Sequence, residues 1–214
     1  MSEDFAGRYL ASGVVAIMRA TSSDQLLRAA EAVLAGGVAA IEVTMTTPGS
    51  LDVIEQAVGR LGSEAAFGAG TVLDAESARA AILAGAQFIV APGIDLATIE
   101  LCRRYAVPIM PGAFTATEIL SCWQAGADYV KVFPAGVGGP GLIKALKAPL
   151  PQVRMIPVGG VTLDNTADFV RAGAVAVGVG NELVNQALLD DQDMRQITER
   201  AVRFREQVAI GRQG

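Results

Sequence analysis

A short phrase, Ala-Gly-Gly or Ala-Gly-Ala, recurs four times, each time just ahead of an apolar run. Ala35-Gly36-Gly37 precedes Ala39 to Val43, and Ala84-Gly85-Ala86 precedes Gln87 to Val90. Ala125-Gly126-Ala127 precedes Asp128 to Phe133, and Ala172-Gly173-Ala174 precedes Val175 to Val179. Ahead of the first phrase, Leu26, Leu27, Ala30, Val33 and Leu34 carry helical spacing. The glycine therefore reads as a helix C-cap in left-handed conformation, after which the chain enters a strand. Further strands are expected at Val14 to Arg19, Ala65 to Ala69, Val107 to Met110 and Arg154 to Val158, making eight at spacings of 20 to 26 residues.

Continuous apolar strands alternating with helices imply a parallel sheet covered on its outer face. Eight such units in 214 residues favour a closed (β/α)8 TIM barrel, taken as one domain over 1–214. No Gly-x-Gly-x-x-Gly follows the first strand, which weakens the dinucleotide-binding alternative. The first eleven residues are expected to form a short helix over the barrel's N-terminal mouth.

Half the residues are hydrophobic (51%) and 18% are charged, so disorder is not expected. The apolar runs are four to eight residues long, far short of the roughly 18 needed for a spanning helix. The acidic start Met1-Ser2-Glu3-Asp4-Phe5 lacks the pattern of a signal peptide. A net charge of −5 without a long basic cluster argues against nucleic acid or an anionic membrane as partner. Cys102 and Cys122 lack zinc-site spacing and read as buried free thiols of a cytosolic protein. Histidine is absent, which removes His-based triads, histidine bases and imidazole metal sites. Chemistry here must come from lysine, carboxylates, hydroxyls, arginines and backbone amides.

The chain has three lysines, and Lys131 alone sits in an apolar strand, Asp128-Tyr129-Val130-Lys131-Val132-Phe133-Pro134. Burial disfavours the ammonium, and a neutral amine can form a Schiff base with a carbonyl. The alternative is a lysine whose stem lies along apolar surface while its head reaches water. In a barrel of this kind the active site lies at the C-terminal ends of the strands. If Ile41 and Val43 pack on the helices, alternation sends Glu42 and Thr44 inward; the same parity turns Lys131 and Arg19 inward. Glu42 then reads either as an acid/base group or as an ion-pair partner of Lys131 or Arg19. Gly159-Gly160 and Gly178-Val179-Gly180-Asn181 follow the last two strands, a place where barrels commonly hold phosphate on backbone amides.

Taken together, Ile41-Glu42-Val43-Thr44, Gly68-Ala69-Gly70-Thr71-Val72, Tyr129 to Pro134 and Val158-Gly159-Gly160-Val161 resemble the 2-keto-3-deoxy-6-phosphogluconate (KDPG) and 4-hydroxy-2-oxoglutarate aldolases. That resemblance, from about Val14 to Val184, implies a class I aldolase that needs no metal or cofactor. It makes Lys131 the Schiff-base lysine and Glu42 the general acid/base. It places Thr71, Pro92 and Phe133 beside the substrate and gives the phosphate to Gly159, Gly160, Gly180 and Asn181. It also implies a cytoplasmic homotrimer acting on a small 2-keto acid sugar phosphate.

Two positions depart from the pattern. Many members carry a carboxylate-binding arginine where this chain has Thr46, and Arg19 is the residue that could replace it. A threonine often precedes the Gly-Gly pair; here it is Val158, as in the related phosphogalactonate aldolases. Three alternatives stand beside the phosphogluconate reading: a phosphogalactonate aldolase, a phosphate-binding barrel isomerase or synthase with a non-covalent Lys131, and a non-catalytic sugar-phosphate binder.

Overall fold

A computed structural model describes residues 5, 7, 9–19 and 22–213. The expected β/α alternation is present. In order come β1 (Val14–Met18), α1 (Ser23–Ala35), β2 (Ala40–Thr44), α2 (Ser50–Leu61), β3 (Ala66–Gly70), α3 (Ala75–Leu83), β4 (Ile89–Val90) and α4 (Leu96–Arg104). Then follow β5 (Ile109–Met110), β6 (Gly112–Ala113), α5 (Ala116–Gln124), β7 (Val130–Val132), a 3-10 turn (Ala135–Val137) and α6 (Gly139–Lys147). The chain closes with β8 (Met155–Pro157), α7 (Leu163–Arg171), β9 (Val177–Val179), α8 (Gln186–Asp190) and α9 (Met194–Arg212).

The strands pair in parallel in the order β5-β4-β3-β2-β1-β9 and, separately, β6-β7-β8. The fifth barrel strand runs further than its sequence pattern and is split by Pro111, which has no N–H to give the ladder. Its first half pairs back to β4 and its second half forward to β7, while the Pro111 carbonyl accepts the Lys131 N–H at 3.0 Å. A bridge between Val158 and Gly178 joins β8 to β9 and completes the (β/α)8 barrel.

Every position of β1, β2 and β3 is buried, as expected of strands covered on both faces. Val14, Ala16, Ile41, Val43, Phe67, Ala69, Val130 and Val132 pack outward against the helices. Val15, Ile17, Ala40, Val90, Met110, Ile156 and Val158 fill the interior. Helix starts follow side-chain caps: Ser22 accepts from the Gln25 N–H, Asp74 from Ser77 and Asp95 from Thr98. Helix ends follow the repeated phrase, with Gly37, Gly85, Gly126 and Gly173 at φ +82°, +97°, +93° and +105°.

At the N-terminal end of the barrel the Phe5 ring packs 5.3 Å from Phe88 and 6.3 Å from Tyr129. With Tyr9 and Leu10 it forms the floor beneath the site. Phe5 and Gly7 are helical and a turn follows at 9–12, whereas residues 1–4, 6 and 8 of the expected helix lie outside the described residues. No described helix is long and apolar enough to cross a membrane.

Candidate active site

Strand parity decides which polar side chains enter the barrel. On β7, Val130 and Val132 are fully buried against helices, so Lys131 between them turns inward and is 5% exposed. Its Nζ sits 4.9 Å from the centroid of the Phe133 ring. Glu42, on β2, is 2% exposed. Burial pushes Lys131 below the ordinary lysine range; the Glu42 charge opposes that shift and the Arg19 charge adds to it. Burial pushes Glu42 up, with Lys131 and Arg19 pulling the other way. Desolvation thus favours the uncharged form of both groups. The ion pairs among the described residues lie on helices, and none includes Lys131 or Glu42.

These groups share one cavity of about 480 Å³ at the C-terminal ends of the strands. With Lys131 and Glu42 the lining includes Arg19, Thr71, Pro92 and Phe133; Arg19 also reaches Gly180, its Nη1 lying 3.9 Å from where a Cβ there would sit. Thr71 holds a φ of +58°, a left-handed conformation that a β-branched residue rarely adopts. Strain of this kind persists only where surroundings enforce it, and it clusters at working sites.

The turns after the last two barrel strands add Gly159, Gly160, Val161, Thr162, Gly180, Asn181 and Glu182 to the lining. Gly159 and Gly160 have φ of +81° and +85°, and a Cβ on Gly160 would come within 2.7 Å of the Gly136 backbone. Gly160 is therefore required by backbone packing, whatever it binds, while a Cβ on Gly159 would press on the Phe133 ring at 3.0 Å. Asn165 pins the same turn, accepting from the Thr162 N–H at 2.8 Å and donating to the Gly160 carbonyl at 2.9 Å.

Every candidate site residue lines this cavity except Thr46; Thr44, also expected inward, is buried but lies outside the lining. The chain turns sharply after β2, with the Thr47 N–H bonded to the Thr44 carbonyl at 2.9 Å. Thr46 is thereby carried to an exposed position, bonded to the Thr44 hydroxyl at 3.0 Å, over a separate depression formed by residues 45–52. Sequence reasoning left Ile17, Val161, Thr162 and Glu182 out of the site, and named Val158 and Gly178 only as parts of the glycine motifs. Ile17 was reachable by alternation, since it stands two residues before Arg19. Thr162 and Glu182 sit in loops, where no periodicity marks direction. Among the described residues no group of three or more His, Cys, Asp or Glu could hold a metal ion.

The fold is a (β/α)8 barrel with a pocket at the strand C-termini, the place where barrel enzymes carry their chemistry. A family model described as "Aldolase: KDPG and KHG aldolase" matches residues 8–200, and the chain belongs to that family. It is 38% identical over 171 residues to a 2-dehydro-3-deoxy-6-phosphogalactonate aldolase of Escherichia coli K12, covering 79% of this chain and 83% of the relative. It is also 38% identical over 176 residues to a 2-dehydro-3-deoxy-phosphogluconate aldolase of Pseudomonas aeruginosa, covering 80% and 78%. Among solved structures, the KDPG aldolase of Legionella pneumophila superposes with a TM-score of 0.86 at 28% identity, over 92% of this chain and 96% of that one. That structure holds pyruvate captured as a covalent carbinolamine intermediate.

Proposed function

We propose that the protein is a metal-independent class I aldolase that cleaves 2-keto-3-deoxy-6-phosphogluconate to pyruvate and glyceraldehyde 3-phosphate. By the same steps it would cleave 4-hydroxy-2-oxoglutarate to pyruvate and glyoxylate. The observation that carries this reading is a buried lysine, pushed toward its neutral form, sharing one cavity with a buried carboxylate. The carbinolamine in the Legionella relative supports a covalent route.

In this mechanism the Lys131 Nζ attacks the C2 carbonyl, and loss of water from the carbinolamine leaves a protonated imine. The positive charge of the iminium opposes the burial that favours protonated Glu42, and the carboxylate takes the proton of the C4 hydroxyl directly or through water. The C3–C4 electron pair then moves into the iminium, which acts as the sink, and the aldehyde leaves. The resulting enamine is protonated at C3, and hydrolysis releases pyruvate and restores the amine. Arg19 binds the C1 carboxylate in place of the arginine missing at Thr46, its guanidinium being the one arginine in the cavity lining among the described residues. Thr71, Pro92 and Phe133 surround the pyruvoyl part. Backbone amides of the turns after the last two barrel strands, from Gly159 and Gly160 to Gly180 and Asn181, receive the phosphate.

A phosphogalactonate substrate is the second reading, favoured by Val158, which lines the cavity where many phosphogluconate enzymes carry threonine. We also place the protein in the cytoplasm as a homotrimer. The exposed apolar side chains of Leu73, Leu96 and Val137, at 66, 60 and 76% exposure, support self-association, which light scattering would read directly.

Pyruvate with borohydride should add one pyruvate-derived mass, mapping to Lys131. Labelling on Lys144 or Lys147 instead would overturn the assignment. Turnover should survive a strong chelator; metal-restorable loss would point to a metal-dependent aldolase. Turnover of the phosphogluconate and phosphogalactonate keto acids and of 4-hydroxy-2-oxoglutarate, compared side by side, decides among the substrates.

A further inference from the structure

The inward face of β3 reads Ala66, Gly68 and Gly70, so above Ala66 this strand sends no side chain into the barrel. Neighbouring strands use the space. A Cβ on Gly68 would come within 2.6 Å of Cγ of Phe88, whose ring fills that layer. A Cβ on Gly70 would strike Glu42 itself, colliding with Cγ, Cδ and the carboxylate oxygen Oε1.

The register makes this informative. Glu42 stands opposite Gly68, and Gly70 stands opposite Thr44, one inward position nearer the mouth. The Glu42 side chain thus does not lie straight across the ladder, where Phe88 occupies the layer. It leans diagonally over Gly70, toward the cavity shared with Lys131. Gly70 has a negative φ, so the backbone would accept alanine there, and any effect of that change must come from the side chain.

We propose that Gly70 is a positioning residue: its missing side chain is the slot that directs the Glu42 carboxylate up to the reacting centre. This rests on the reading of Glu42 as the acid/base group. A methyl at position 70 forces the carboxylate out of the slot, while Lys131, three strands away around the ring, keeps its place.

The test is Gly70→Ala with and without Glu42→Asp, which shortens the acid by one methylene and withdraws it from the new methyl. Gly70→Ala should lower kcat by roughly 10- to 100-fold, the scale of an ångström-sized misplacement. Pyruvate trapping by borohydride, which reports on Lys131, should fall by a smaller factor than kcat. Glu42→Asp should slow the parent enzyme yet speed the Gly70→Ala variant, a reversal of sign that a general loss of stability does not produce. The proposal is overturned if Gly70→Ala keeps its kcat, or if Glu42→Asp costs the same factor in both backgrounds. If Gly70→Ala is insoluble, the double variant should still fold, because the clash is relieved; failure of both would show that the methyl meets something other than Glu42. Glu42→Gln reports separately on the underlying reading. Full turnover there removes the acid/base role and this proposal with it, whereas a slow Glu42→Gln beside a fast Gly70→Ala removes the positioning role alone.

Discussion

Replacing Lys131 with methionine should abolish activity and make the protein more stable. Methionine keeps the unbranched apolar stem in a site that is 5% exposed and removes the ammonium that burial disfavours. Exchanging buried charges for apolar groups of similar size is often worth ~1–4 kcal/mol, whereas breaking a tight buried pair costs ~3–5 kcal/mol. The first effect should win here. No ion pair within contact distance joins Lys131 to Glu42, and burial already pushes Glu42 toward its protonated form. Without Lys131 the carboxyl takes up a proton instead of standing as an uncompensated anion.

Because Glu42 loses its nearby cation, the lower part of the range applies, about 1–2 kcal/mol. For 214 residues, at about 2–4 °C per kcal/mol, that is a rise in Tm of roughly 2–8 °C. The pH dependence has a fixed sign. Between the lowered folded-state pKa of Lys131 and its ordinary 10.5, the unfolded chain holds more protons than the folded one. Stability of the parent protein therefore rises with pH in that window, and the advantage of Lys131→Met fades toward pH 10.5. Thermal melts from neutral to alkaline pH, paired with borohydride trapping of pyruvate, measure both effects. A Tm that falls by several degrees would show that Lys131 is a structural partner of Glu42, and pyruvate labelling that persists would refute the covalent role.

Glu42→Gln should lower turnover by roughly 10²- to 10⁴-fold. The Glu42 charge raises the pKa of Lys131, so its removal should shift the midpoint of pyruvate-imine formation to lower pH; an upward shift would contradict the coupling. Arg19→Lys should weaken pyruvate and phosphorylated substrates alike, since lysine lacks the bidentate fork; selective loss of phosphorylated substrates would assign Arg19 to the phosphate end. That end is better probed at Glu182 than at Gly160, where φ of +85° and the nearby Gly136 backbone make any side chain disruptive. Glu182→Gln should lower KM for phosphorylated substrates by about two- to fivefold, with the gain shrinking as salt rises. An effect that ignores salt would rule out a charge origin. Cys102 and Cys122, pushed up by burial to pKa values of about 12 and about 11, should resist alkylation at pH 8 until the protein unfolds, and mass spectrometry would read this directly.

Much of this architecture is local. The four Ala-Gly phrases mark helix ends, because only glycine takes a positive φ without penalty, and the apolar runs that follow are strands since both faces are covered. Period-two alternation then points Arg19, Glu42 and Lys131 inward, so three of the polar groups that share the cavity follow from parity alone. Closure of the ring decided the rest, because contacts between strands and loops distant in the chain leave no periodic trace. Parity could not show that Thr46, past the end of β2, is carried out of the cavity by a turn. Nor could it show that Thr162 and Glu182 arrive from loops, or that Pro111 splits the fifth strand between two neighbours. The register of β2 against β3 was equally invisible: it sets Gly70 against the side chain of Glu42, and with it the direction in which a buried carboxylate points.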